Sequence, residues 1–222
     1  MRKLLAHHKT ATLAAAGVLT LSVALGGGIA AASANESQNV QVPSQDAQPE
    51  AYEGGLPALY DSALQATDAD SPAYEMLETA AEVGSLSTSD YERAHVIYES
   101  CIRDAGFTPS FRKTVTGLYV ELPYTDVKDA DALDAAVVDC STKSATVEAL
   151  YKIQVSNPEV VLDQRVVAVD CVVAAGAVKS GYSAEQFDAD MKRDTRPFDV
   201  SDIVVNDCLY GAGYAVFDMT ID

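Results

Sequence analysis

The 222-residue chain has no tryptophan and only three histidines. Two of these, His7 and His8, fall in the first eight residues, so His95 is the one imidazole of the remaining chain. A Ser-His-Asp or Cys-His arrangement would rest on His95 alone as base. No Gly-x-Ser-x-Gly turn accompanies it. Zinc sites built from His and Cys lack ligands once the cysteines are paired. The missing tryptophan counts against a sugar cleft, an objection that 11 tyrosines offset in part. Basic residues are also short: 15 Lys and Arg stand against 33 Asp and Glu, a formal net charge of −18. A surface of that sign repels nucleic acid phosphates and anionic lipid faces, so nucleic acid is excluded as a partner. No phosphate-binding glycine loop occurs in a strand–helix setting, which argues against a nucleotide, and no small-molecule cofactor is expected.

Carboxylates are plentiful, and calcium is the ion to test. Asp68 and Asp70 open a stretch that lacks both the glycine at position six and the glutamate at position twelve of an EF-hand loop. Asp126, Asp129, Asp131 and Asp134 lie close together. They read as the start of a helix with solvated acids, and no metal ligand is assigned.

The first residues do have a clear pattern. Arg2, Lys3 and Lys9 precede an apolar run from Ala11, and Ala32-Ser33-Ala34 is a small-x-small cleavage site. This order is that of a secretory signal peptide over 1–34, cleaved after Ala34. The apolar stretch is also long enough to remain as an anchor; the glycines 26–28 and the Ala-x-Ala favour cleavage. With the three basic residues gone, 15 fall to 12 against 33 acidic, and the net charge moves from −18 to −21. Residues 35–55 are polar without apolar period and read as a disordered spacer. The folded domain is expected over 56–222.

Within it the expected elements are mostly helical. A first helix covers Pro57–Gln65. Ser71-Pro72 suits the start of a second that ends near Gly84. Ser89 and Glu92 have capping-box spacing for a third, which Gly106 stops. Tyr91, Ala94, Tyr98, Cys101 and Ala105 form its inward stripe. His95, placed between Glu92 and Glu99, is expected on the solvated face as part of a surface ion pair. Val115, Leu118, Val120 and Leu122, around Thr116-Gly117, suggest two short strands and a turn. Asp129 and Asp131 suit the first turn of the next helix, where Leu133, Ala136, Val137 and Cys140 share one face. A helix near Thr146–Val155 stops at Asn157-Pro158. Then come a helix over 159–175 closed by Gly176, a helix after the Ser183/Gln186 capping box, and a last helix closed near Gly213. The tail from Tyr214 could be a strand. Tyr119, Tyr124, Tyr210 and Tyr214 suit either a contact surface or the core, with the core favoured.

The four cysteines, Cys101, Cys140, Cys171 and Cys208, imply two disulfides in an exported chain. Their spacing repeats: 39 positions, then 37. Cys140 and Cys208 each follow an aspartate. Two related units, about 88–156 and 158–222, each stapled within itself, give Cys101–Cys140 and Cys171–Cys208; the alternative is bridges that cross between units. Cys101, Cys171 and Cys208 are each followed, after four residues, by a glycine: Gly106, Gly176 and Gly213.

"VGSLSTSDYERAHVIYESCIRDAGF" resembles a motif of secreted and lipid-anchored envelope proteins of high-GC Gram-positive bacteria. "NPEVVLDQRVVAVDCVVAAG" is similar to it. The resemblance covers about 80–180. It implies export and a bridge from Cys101 to a downstream helix, and it brings no activity with it. No lipid-anchor cysteine is present here, which implies a released or signal-anchored member.

The fold class expected is α+β, predominantly helical with a short hairpin, as two disulfide-stapled units in one compact region. With no catalytic or cofactor-binding residue singled out, the expected role is a secreted or envelope-associated binding or accessory protein. Its partner would be an envelope protein or a cell-wall component. An envelope hydrolase using paired carboxylates on wall glycan is the alternative, marked by two buried carboxyls converging on an open pocket. An extracellular inhibitor, marked by an exposed rigid loop such as 109–128, is the third.

Overall fold

The structure is a computed structural model describing residues 48–125, 127–193 and 196–214. The expected signal peptide, most of the spacer and the tail strand lie outside these residues. In chain order the elements are α1 (Gly55–Ala66), α2 (Tyr74–Val83), α3 (Thr88–Asp104), β1 (Phe111–Lys113), β2 (Tyr119–Glu121), α4 (Ala130–Ser141), α5 (Ala145–Ser156), α6 (Gln164–Ala174), α7 (Ala184–Met191) and α8 (Ile203–Gly211). The fold is mostly helical, with one antiparallel hairpin and two disulfides. Among the described residues no helix is long and apolar enough to cross a membrane.

The bridges are Cys101–Cys140 and Cys171–Cys208, the within-unit pairing expected from the repeat. The first ties the end of α3 to the end of α4, and the second ties α6 to α8. The three Cys-x4-Gly segments share one local structure. Gly106, Gly176 and Gly213 have φ of 91°, 73° and 89°, a region that only glycine enters without steric cost. At each, the residue after the glycine returns its N–H to a carbonyl inside the helix: Phe107 to Ile102, Ala177 to Val172, Tyr214 to Leu209. The glycine N–H itself reaches the residue three back, the paired pattern of a Schellman cap. Each cysteine carbonyl accepts from the residue before the glycine. The cysteine thus sits one turn from a firm stop, and the bridge and the cap constrain the same turn.

The first core gathers Tyr60, Met76, Leu77, Ala80, Leu86, Tyr91, Ala94, Leu118, Val147, Leu150 and Tyr151 from α1, α2, α3, α5 and the hairpin. Helices α1 and α2 therefore complete the first stapled unit although they precede it in sequence. The second core is built on Val167, Ala168, Val172, Phe187, Phe198, Val205, Leu209 and their neighbours. The two units differ between their cysteines: a hairpin in the first, the short helix α7 in the second.

Three helix starts differ from expectation. Helix α2 begins at Tyr74, after a turn in which Tyr74 N–H reaches the Ser71 carbonyl. The α3 cap is Ser87, whose hydroxyl accepts from Asp90 N–H at 3.0 Å, and no Ser89/Glu92 box forms. Glu92 turns instead to Lys113 and the Tyr119 hydroxyl. Helix α6 begins only at Gln164, capped by Asp163. The residues before it pair with the end of the expected spacer: Tyr52 N–H reaches the Val160 carbonyl and Leu162 N–H the Glu50 carbonyl. Residues 50–52 therefore belong to the fold. The Ser183/Gln186 capping box of α7 is present on both sides.

The halves meet at α8. Asp207, with a side chain only 5% exposed, receives Arg112 Nη1 at 2.5 Å on one oxygen and the Val115 N–H at 2.8 Å on the other. Arg112 Nη2 also donates to Asn206. One turn on, a Cβ at Gly211 would lie 2.6 Å from Ser156 Oγ, so only glycine lets α8 approach the end of α5 this closely.

Two outcomes follow. Non-reducing peptide mapping will recover Cys101 with Cys140 and Cys171 with Cys208, and removing either bridge will cost about 4 kcal/mol in the chain-entropy account. Asp207→Ala strands a buried guanidinium and will cost about 3–5 kcal/mol in urea unfolding, whereas Arg112→Leu with Asp207→Leu will recover much of that loss.

Candidate functional site

A cavity of about 230 Å³ opens where α3, the hairpin, the α4–α5 corner and α8 meet. Periodicity delivers its side chains. His95 and Tyr98 are three apart on α3. Tyr119 and Glu121 are two apart on β2 and so share a face, while Val120 between them points to the other side. The hairpin register sets Phe111 opposite Glu121. Ser144 and Glu148 are four apart at the start of α5, and Ser141 follows Cys140 directly. Tyr210 reaches in from α8, its hydroxyl donating to the Tyr119 carbonyl at 2.7 Å. The Cys101–Cys140 bridge holds α3 to α4 beside this wall, one turn beyond Tyr98.

Two carboxylates line the cavity. Glu121 accepts from the Tyr98 hydroxyl at 2.9 Å on one oxygen and from the Tyr124 hydroxyl on the other. Burial, and then the nearby Glu121 charge, push both tyrosines up. Glu148 accepts from Ser144 Oγ at 3.1 Å. Ser144 is the α5 N-cap residue, yet its hydroxyl makes no cap bond. Burial pushes the Glu148 carboxyl above its ordinary value of 4.5; the Ser144 bond opposes this and the Glu121 charge adds to it. The α5 dipole favours a charged Glu148, but loss of water outweighs it. Tyr210 is pushed up to about 12, first by burial and then by Glu148 and Glu121.

His95 departs from expectation. It is 3% exposed, and no ion pair with Glu92 or Glu99 forms, because Glu92 pairs with Lys113 and Glu99 with Arg103. The hairpin covers this face of α3. The imidazole stacks on Tyr119 with ring centres 3.5 Å apart and meets Phe111 edge-on at 4.4 Å. Nδ1 has no hydrogen-bond partner among the described residues. Burial holds the imidazole below its ordinary 6.5, against the pull of Glu99 and Glu92, so it is neutral at pH 7. The α3 stripe in fact runs Tyr91, Ala94, His95, Tyr98, Ile102. The acidic neighbours at i−3 and i+4 point to a solvated face, but Tyr91, Tyr98 and Ile102 at helical spacing put His95 on the buried one.

The other singled-out residues fall elsewhere. Asp129 caps α4 through Ala132 N–H, and Asp131 and Asp134 are exposed; Asp126 lies outside the described residues. Tyr119, Tyr124 and Tyr210 are half-buried around the cavity, whereas Tyr214 packs in the second core against Phe187. The Lys143 ammonium sits 3.0 Å from Cys101 Sγ, and Asp139 lies beside the same bridge. Both sulfurs are bonded to each other and are not metal ligands. The Glu121–Glu148 convergence was not readable, since 27 positions separate the two and only the tertiary fold joins them.

Comparison with family models, with curated proteins and with solved structures found no match to this chain.

The neutral, buried His95 sets a pH dependence. Below pH 6.5 the unfolded chain takes up this proton before the folded one, so stability falls as the pH drops. The raised Glu148 acts in the opposite sense, losing stability as the pH rises through its folded value. His95→Phe keeps the ring stack and removes one titration. The difference in urea midpoint between wild type and variant, followed from pH 7.5 downwards, will therefore move against wild type below pH 6.5.

Proposed function

We propose that the protein is a secreted or cell-envelope-associated binding protein and that this cavity is its recognition site. Two disulfides, and no described helix able to cross a membrane, are compatible with an extracellular location. The signal-like N-terminus and the resemblance to exported envelope proteins support the same assignment. The carrying observation is how Glu121 is held. Both its oxygens accept tyrosine hydroxyls, which makes it a fixed acceptor and not a base free to move. At about 230 Å³, the cavity accommodates a side-chain-sized group of a partner, while drug-sized ligands occupy roughly 300–1,000 Å³.

A hydrolase is the second reading, and Glu148 favours it. A carboxyl raised by burial beside a second carboxylate is the acid–base pattern of glycoside cleavage. An inhibitory loop at 109–128 has less support, because Phe111, Tyr119 and Glu121 of that hairpin line the cavity. Val115, 72% exposed, is the apolar residue left outward near its tip.

The test uses the full chain and Glu148→Gln against the envelope of its own source. In the binding reading wild type retains a specific protein or wall component, Glu148→Gln retains at least tenfold less, and neither degrades wall glycan. Turnover of wall glycan by wild type, abolished in Glu148→Gln, replaces that reading with the hydrolase.

A further inference from the structure

The chemistry of the cavity wall specifies the group it takes. From its geometry we infer that the site binds a primary ammonium group on a short aliphatic stem; this rests on the binding reading above. Three kinds of observation converge. First, Glu121 and Glu148 both line the cavity, and the nearby cations are engaged elsewhere: Arg112 on Asp207, Lys113 on Glu92. Lys152 lies over the Tyr210 ring, 4.8 Å from its centre, and does not line the cavity. An anion has no unengaged cation in this wall to meet. Second, four aromatic rings, Tyr98, Phe111, Tyr119 and Tyr210, line the cavity beside Val137, Ala145 and two serines. Ring faces attract cations, and more strongly where water is excluded.

Third, His95 lines the same cavity at 3% exposure, with Nδ1 unpartnered among the described residues. Nδ1 itself is sealed from solvent, so the His95 ring reports on an occupant of the cavity without bonding it through that atom. An ammonium has three donors and no acceptor, and this wall offers it the carboxylates of Glu121 and Glu148. A quaternary ammonium brings charge but no N–H for the carboxylate oxygens. The volume of about 230 Å³ leaves room for a stem of a few carbons.

The experiment titrates n-butylammonium, tetramethylammonium and n-butanol into the full chain, followed by NMR of the His95 ring and by calorimetry. Expected is saturable binding of n-butylammonium with a shift of the His95 ring signals, binding of tetramethylammonium at least tenfold weaker, and none for butanol. Glu148→Gln, which keeps an acceptor for Ser144, is expected to weaken n-butylammonium at least tenfold. If that variant does not fold, Val137→Phe fills the cavity from α4 and is expected to abolish the His95 shift. A parallel titration with Nα-acetyl-lysine methylamide separates sources: tighter binding than n-butylammonium points to an amino group carried by a peptide, and weaker binding to a free amine. Equal response to butanol, or n-butylammonium binding unchanged in both variants, overturns the inference. No amine binding while Glu148→Gln still loses the envelope partner removes the amine alone; glycan turnover lost in Glu148→Gln removes the binding reading itself.

Discussion

The buried pair between Arg112 and Asp207 is the contact on which the rest of the arrangement depends. A two-stranded hairpin of three residues a side has little stability of its own. Here Asp207 holds it by a guanidinium on one oxygen and a turn N–H on the other. The planar fork of arginine lets its second terminal nitrogen reach Asn206 as well. Because the hairpin carries Phe111, Tyr119 and Glu121, this one pair decides whether the cavity has a wall. Because Asp207 stands next to Cys208, the second disulfide anchors the helix from which the pair is made.

The two stapled units are therefore not equivalent in use. Asp139 and Asp207 both precede the second cysteine of their unit. Asp139 is exposed and pairs with Lys143 on its own helix, whereas Asp207 is buried and reaches across the molecule. The first unit supplies most of the cavity and the second supplies the support, through Asn206, Asp207, Tyr210 and the close approach at Gly211. Water exclusion then sets the chemistry: it neutralises His95, raises Glu148 and leaves Glu121 dependent on two tyrosine hydroxyls.

Local patterns were legible wherever a local interaction decides the outcome. The glycine stops at 106, 176 and 213 depend on backbone geometry within one turn, and the Ser183/Gln186 box closes within four residues. Competing local signals were harder to read. Ser87 and Ser89 both precede the third helix, and Glu92, which would have completed a box at Ser89, is drawn away by Lys113 and Tyr119. Residues 159–163 are apolar enough for a helix but extend instead, because the chain at 50–52 offers them hydrogen bonds from outside the helix. The neighbours of His95 at helical spacing are acidic and suggest a solvated face, and no local feature announces that two aromatic rings of a hairpin cover it.

The sequence by itself determined the mostly helical class, the hairpin and the helix stops, and its repeat of 39 and 37 positions favoured the cysteine pairing that the fold then adopts. These follow from spacing along the chain, where hydrogen-bond geometry and side-chain period act over a few residues. Tertiary structure alone decided that Glu121 and Glu148 share a cavity, that His95 is neutral, and that Asp207 is buried while Asp139 is not. Those depend on which surfaces exclude water from which side chains, a property of distant segments brought together.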